Sequence, residues 1–220
     1  MKIGVVSTKN LRSSLGLEPN TEEIELNVFP FVHEDFYTGN QINFLPREKV
    51  EEDPNWQQLI TYVVAFEAPS LTTGPLINIL MYERKDGDQR LTGAKSIGVG
   101  GHLEEKDLFN VVNPFFGFSS LDNCARREWE EGTGHSWRGD VKITQPIAII
   151  HGGSKISRYY TGIIFYAHLK EGLEIKTGEV DGKFMTIPQI LSDSNDNLNY
   201  EPWSRKLLNV TRTLTNWAPY

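Results

Sequence analysis

The chain has 220 residues, a formal net charge of −7 and 39% hydrophobic residues, enough for one elaborated domain that buries about 70% of its unfolded surface. The acidic balance excludes sequence-independent binding to nucleic acid, which needs a basic footprint, but leaves nucleotides open because a metal can supply positive charge locally. A single cysteine, Cys124, excludes an internal disulfide and points to a reducing, cytoplasmic compartment.

The opening run Met1–Val6 is too short for a signal peptide, and no segment is long and apolar enough to span a membrane, so no membrane partner is expected. Residues 1–58 are mixed, with turn signals at Pro19-Asn20, Gly39-Asn40, Pro46 and Pro54. They read as an N-terminal elaboration with short strands such as Ile24–Phe31, packed on a main domain over 59–220. Thr61–Phe66 and Leu76–Tyr82 are β-branched and apolar, as buried strands are, with a turn between them at Gly74-Pro75. Lys85-Asp86-Gly87-Asp88 marks another turn, leading to a short strand at Ser96–Val99. Residues 108–119 contain Asn113-Pro114 and Gly117 and read as a loop whose aromatics either pack or form a lip for a base. Strands are expected at Pro146–His151 and Tyr159–Leu169, joined through Gly152-Gly153, and again at Phe184–Ile187. Pro188 opens a helical turn, and Glu201-Pro202-Trp203-Ser204 starts a C-terminal helix with apolar Leu207, Leu208 and Val210. The sequence contains neither internal repeats nor a low-complexity tract, and the sequon at Asn209 carries no meaning in a cytoplasmic chain.

Chemistry concentrates between Gly98 and His135. Arg126, Arg127, Glu128, Glu130 and Glu131 crowd a helix-like segment that ends in glycines, and Gly98-Val99-Gly100-Gly101-His102 lies upstream. Helical residues advance about 100°, so Glu128 and Glu131 project together while Glu130 points elsewhere. Two like charges on one face repel unless a cation lies between them. Arg127 can partly neutralise Glu131, and a Mg²⁺ ion held by one or two carboxylates and a substrate phosphate would neutralise both glutamates. A solvated acidic face is the bland alternative. Other motifs fall away: the glycines lack dinucleotide spacing, Gly152-Gly153-Ser154-Lys155 lacks the phosphate-loop order, and no zinc-type histidine pair or nucleophile elbow exists.

At these residues the chain resembles the Nudix hydrolases, whose box reads G-x5-E-x7-R-E-U-x-E-E-x-G-U. Gly101 fits the opening glycine, and Asp107 stands where the family has Glu. After the insertion at 108–119, Arg127-Glu128 match the R-E pair, Trp129 the bulky position, Glu131 the first paired glutamate and Gly134 the late glycine. The string Ser96–His102 followed by an acid is similar to a branch with G-G-H and Asp in the box, and the likeness covers roughly residues 60–195. Gly132 departs from the pattern, replacing the second glutamate of the pair, normally a metal ligand.

The resemblance implies an α/β/α sandwich on a mixed sheet and a Mg²⁺-dependent (or Mn²⁺-dependent) hydrolase of a nucleoside diphosphate linked to another moiety. It implies Glu128 and Glu131 as metal ligands with the Gly101 carbonyl, and Arg127 as their orienting partner. Asp107 is expected at the metal site, as a brace between loop and helix or holding an outer-shell water. Glu104 and Glu105 could take up a shifted ligand burden. His102 is a candidate phosphate contact, and Glu179 or Asp181 a candidate base or substrate contact on a later loop. Cys124 is expected to be a packing residue rather than a reactive thiol. A catalytically weakened module that binds a nucleotide or regulates a partner is the alternative, and a homodimer is left open.

Overall fold

The computed structural model describes residues 1–18, 24–32, 36, 40–67, 78–85, 91–108, 118–136, 141–143, 145–153, 157–169, 173, 175, 182–192 and 199–214. The class is α/β, as expected. The chain forms two compact units that draw on interleaved segments, Met1–Tyr62 with Gly100–Glu128 and Gln145–Phe165 in the first, and Val63–Val99 with Trp129–Thr144 and Tyr166–Tyr220 in the second. Residues 1–58 therefore cluster with the glycine turn and most of the carboxylate helix, not by themselves.

In the first unit, β1 (Lys2–Ser7) buries Ile3, Val5 and Val6 completely. It runs antiparallel to β3 (Asn43–Pro46), with Ile3 opposite Leu45, and to the start of β4 (Trp56–Glu67), with Val5 opposite Gln58. The helix α1 (Thr8–Ser14) follows β1 directly, and the short α2 (Arg47–Val50) follows β3. Ile3, Val5 and Val50 pack with Leu45 and Trp56. β2 (Ile24–Pro30) pairs with β9 (Ala148–Gly153), which pairs with the first half of β10 (Tyr160–Leu169). Leu103, just after β7 (Gly98–His102), is held from two strands: its N–H donates to Leu59 O at 2.9 Å and its carbonyl accepts from Gly4 N–H at 2.7 Å. A Cβ on Gly4 would collide with the Leu103 side chain, so glycine lets β1 close on this segment. Those bonds set where the chain after the glycine turn begins.

In the second unit, β5 (Asn78–Glu83) pairs antiparallel with β11 (Gly182–Thr186), with β6 (Lys95–Ser96) and with the end of β4. β8 (Val141–Ile143) pairs with the second half of β10. A short helix α4 (Ile187–Ser192) follows β11, and α5 (Pro202–Leu214) is the C-terminal helix. Buried Glu201 anchors α5, accepting from Ser96 Oγ at 2.6 Å and Ser204 Oγ at 3.0 Å and pairing with Arg84 at 3.3 Å.

The carboxylate helix is α3 (Phe118–Thr133), which contributes residues to both units. Its C-terminus is set by Gly134, whose φ of 71° suits glycine and whose N–H caps the Glu130 carbonyl at 2.9 Å. Thr133 Oγ1 returns a bond to the Trp129 carbonyl at 2.7 Å. Several expectations need correction. The single strand expected at Ser96–Val99 is split into β6 and β7, and the first strand of the main domain starts at Trp56 rather than Thr61. Residues 118–119, read as loop, already belong to α3, where packing of the later turns outweighs a weak local signal. The Gly152-Gly153 connector lies inside β9 with φ of 96° and 102°. The turns at Gly74-Pro75 and Asp86-Gly87-Asp88 lie outside the described residues.

Candidate active site

The glycine turn and α3 meet at one side chain. Gly100 and Gly101 lie in β7, and a Cβ on Gly100 would overlap the Thr61 carbonyl of β4. On Gly101 it would overlap the carboxylate of Glu128. The two glycines therefore serve different ends: the first lets strand approach strand, and the second lets a helix carboxylate lie against the backbone.

Arg127, beside it on the helix, gathers the acids of the following turn. Its Nε and Nη2 donate to Asp107 Oδ1 and Oδ2 at 2.8 and 2.9 Å, a two-point fork, while Nη1 donates to Glu128 Oε1 at 2.5 Å. Nη2 also reaches the His102 carbonyl at 2.9 Å, and Glu104 lies 3.6 Å from Nη1. Burial disfavours the guanidinium charge, but the hydrogen bond to Asp107 and the field of Glu128 outweigh it and raise the arginine's pKa above its ordinary value. Asp107 is 4% exposed in the 3-10 turn Glu105–Leu108. Besides the arginine it accepts the Glu104 N–H at 2.8 Å, and its carbonyl accepts from Asn123 Nδ2 at 3.0 Å. Through these bonds Asp107 ties the 3-10 turn to the helix, the geometry of a brace between loop and helix, the first of the two roles that the sequence left open.

Cys124 is fully buried between β4 and β7, its Sγ 3.2 Å from Thr61 Oγ1 and 3.3 Å from the His102 carbonyl. Burial, with Asp107 nearby, pushes its thiol well above the ordinary range, so it is a packing residue, as expected, and not a nucleophile. His102 Nε2 lies 3.0 Å from Gln58 Oε1, and its ring meets Tyr160 edge-on at 5.9 Å. Glu131 follows Glu128 at i+3 along α3 and is exposed, whereas Gly132 is buried. Among the described residues, no three His, Cys, Asp or Glu side chains group closely enough to hold a metal unaided. Glu179, Asp181 and the insertion from Phe109 to Gly117 lie outside the described residues. Sequence reasoning missed Gln58 and Asn123, which reach the site from 44 and 16 positions away from their partners. No local motif marks either one.

A glycine strand, a braced acidic turn and a helix bearing Arg-Glu meet at one carboxylate, and solved structures share the surrounding architecture. Tm1382, a candidate Nudix hydrolase, superposes with a TM-score of 0.69 at 20% identity, over 97% of this chain and 100% of its own. The fold is that of the Nudix hydrolases. RenU, a Nudix hydrolase from M. smegmatis, matches at a TM-score of 0.51 and 13% identity, over 74% of this chain and 89% of its own. No family model and no curated protein matches the sequence. The Nudix likeness to Tm1382 thus takes in nearly the whole chain, including the N-terminal strands that lie before the box.

Proposed function

We propose that this chain is a Mg²⁺-dependent hydrolase that cleaves a pyrophosphate bond in a nucleoside diphosphate linked to another moiety. The observation that carries the reading is the Glu128 carboxylate, cradled against Gly101 where a Cβ would intrude and oriented by Arg127. That donor set fits a hard cation: Glu128 and Glu131 lie three residues apart on one helix face, and the resemblance adds the Gly101 carbonyl as a third oxygen. Mn²⁺ suits the same oxygens. When bound, such an ion supplies Lewis acidity toward a phosphoryl oxygen and lowers the pKa of a coordinated water. Arg127 holds Glu128 in place and remains charged throughout, and Asp107 fixes Arg127 through its two-point fork. Glu179, with Asp181 beside it, is the carboxylate to test as the base that accepts the water's proton. The buried single cysteine suits a reducing, cytoplasmic setting.

A panel of nucleoside triphosphates, ADP-ribose, dinucleotides, NADH, coenzyme A and capped RNA, assayed with Mg²⁺ or Mn²⁺ beside Glu131→Gln, tests this reading. Turnover that requires metal and falls at least tenfold in Glu131→Gln is the expected outcome; turnover indifferent to that change removes Glu131 from the metal site. Gly132 favours a second reading, a module that binds a nucleotide without cleaving it, because a carboxylate is missing where the family's box carries a ligand. Tight nucleotide binding with no turnover on the panel would select it. Under the first reading Gly132→Glu should raise metal affinity or rate.

A further inference from the structure

Gln58 lies near the start of β4, fully buried, and its neighbours fix which way its amide points. Nε2 donates to the carbonyls of Val50 at 3.3 Å and Glu51 at 3.4 Å, at the C-terminal end of α2. A helix leaves such carbonyls without intrahelical partners, so the amide N–H groups belong there. Oε1 is then the atom that faces His102 Nε2 at 3.0 Å. An amide oxygen accepts and cannot donate, so the imidazole carries its proton on Nε2, and in the neutral ring Nδ1 is the acceptor. The Tyr160 ring limits tilting of the imidazole, and Arg127 holds the His102 carbonyl.

We propose that Gln58 is a positioning residue that ties the α2 segment to His102 and locks the ring in the Nε2–H tautomer. Any donor the neutral ring meets is then met at Nδ1. A substrate hydroxyl, such as that of a ribose beside the diphosphate, suits that atom; a phosphate oxygen is repelled by its lone pair. The sequence alone suggested a phosphate contact for His102, and the amide of Gln58 redirects that role. The substrate contact rests on the hydrolase reading above and on the place of His102 beside the glycine turn.

Long-range proton–nitrogen correlation spectra of the ¹⁵N-labelled protein, recorded where the ring is neutral, read the tautomer directly. The expected pattern is a protonated Nε2 and an unprotonated Nδ1 at His102, and mixed tautomers in Gln58→Met, which removes the acceptor. On a ribose-containing substrate, Gln58→Met and His102→Ala should each lower kcat/KM about tenfold, mainly through KM, and the double variant no further. A proton on Nδ1 in the wild type, or losses that multiply in the double variant, overturns the proposal. Absence of turnover on every substrate defeats the hydrolase reading instead, and the spectra still decide the tautomer.

Discussion

A methyl group at Gly101 would occupy the space of the Glu128 carboxylate, so Gly101→Ala should displace that side chain while leaving the hydrophobic core intact. Displacements of about 1 Å at a reacting centre cost on the order of 100-fold in rate. We expect a loss of that order in kcat with an unchanged thermal midpoint; a variant with wild-type rate would detach the cradle from catalysis. Arg127 is a different case, because Asp107 is buried and depends on it. Arg127→Ala leaves that carboxylate without its partner and should cost about 3 kcal/mol, read from urea unfolding. Lysine should rescue little, since a point charge cannot reproduce the two-point fork. His151 gives the stability its pH dependence. It is 1% exposed, Nδ1 lies 3.0 Å from Thr161 Oγ1, and Nε2 has no partner among the described residues. Burial, then the charge of Arg12, lowers its pKa to about 4, against about 6.5 in the unfolded chain. Between those values the unfolded chain binds a proton that the folded chain refuses. Stability is therefore fully present above about pH 6.5 and falls by up to about 3 kcal/mol as pH drops through about 4. Urea midpoints that stay level across this window would contradict the shift, and His151→Leu should flatten the slope.

At the scale of elements, α3 is held by its C-terminal cap and by one large side chain. Trp129 is completely buried on the helix, and a cavity left by Trp129→Ala should cost about 4 kcal/mol. Gly134 ends the same helix with a left-handed φ of 71°, so Gly134→Ala should lower stability by about 1 kcal/mol without touching the carboxylates. If both variants lower the thermal midpoint but keep Gly134→Ala fully active, the helix end is structural and the site is set upstream, at Glu128. Strand existence was legible where apolar, β-branched runs are long, as in β4, β5 and β10. It was not legible at β1, whose partners lie at Asn43–Pro46 and Trp56–Gln58. A strand made by pairing over such separations carries little local signal.

Across the whole molecule, the Nudix likeness extends beyond the box to nearly the full chain. Residues 1–62 share a unit with the glycine turn and most of α3, and β1 clamps Leu103 through Gly4. Changes in the N-terminal strands should therefore reach the site: Gly4→Val, which must push Leu103 aside, should lower both stability and turnover, whereas exposed Lys2→Ala should lower neither, its pair with Glu105 being a surface ion pair. Loss of stability with undiminished turnover in Gly4→Val would uncouple the N-terminal strands from catalysis.

The sequence by itself determined the α/β class, the glycine turn, the helix with Glu128 and Glu131 on one face, and the departure at Gly132, because these depend on residue type and on spacings of a few positions. Only the tertiary structure decided what each group does with its bonds. Asp107 turned out to accept from Arg127 and a backbone N–H, Cys124 to be sealed in the core, and His102 to meet the Gln58 amide. Hydrogen-bond capacity is spent between residues that the sequence separates by 20 to 44 positions, and a linear motif specifies a donor or an acceptor without saying which distant partner will use it.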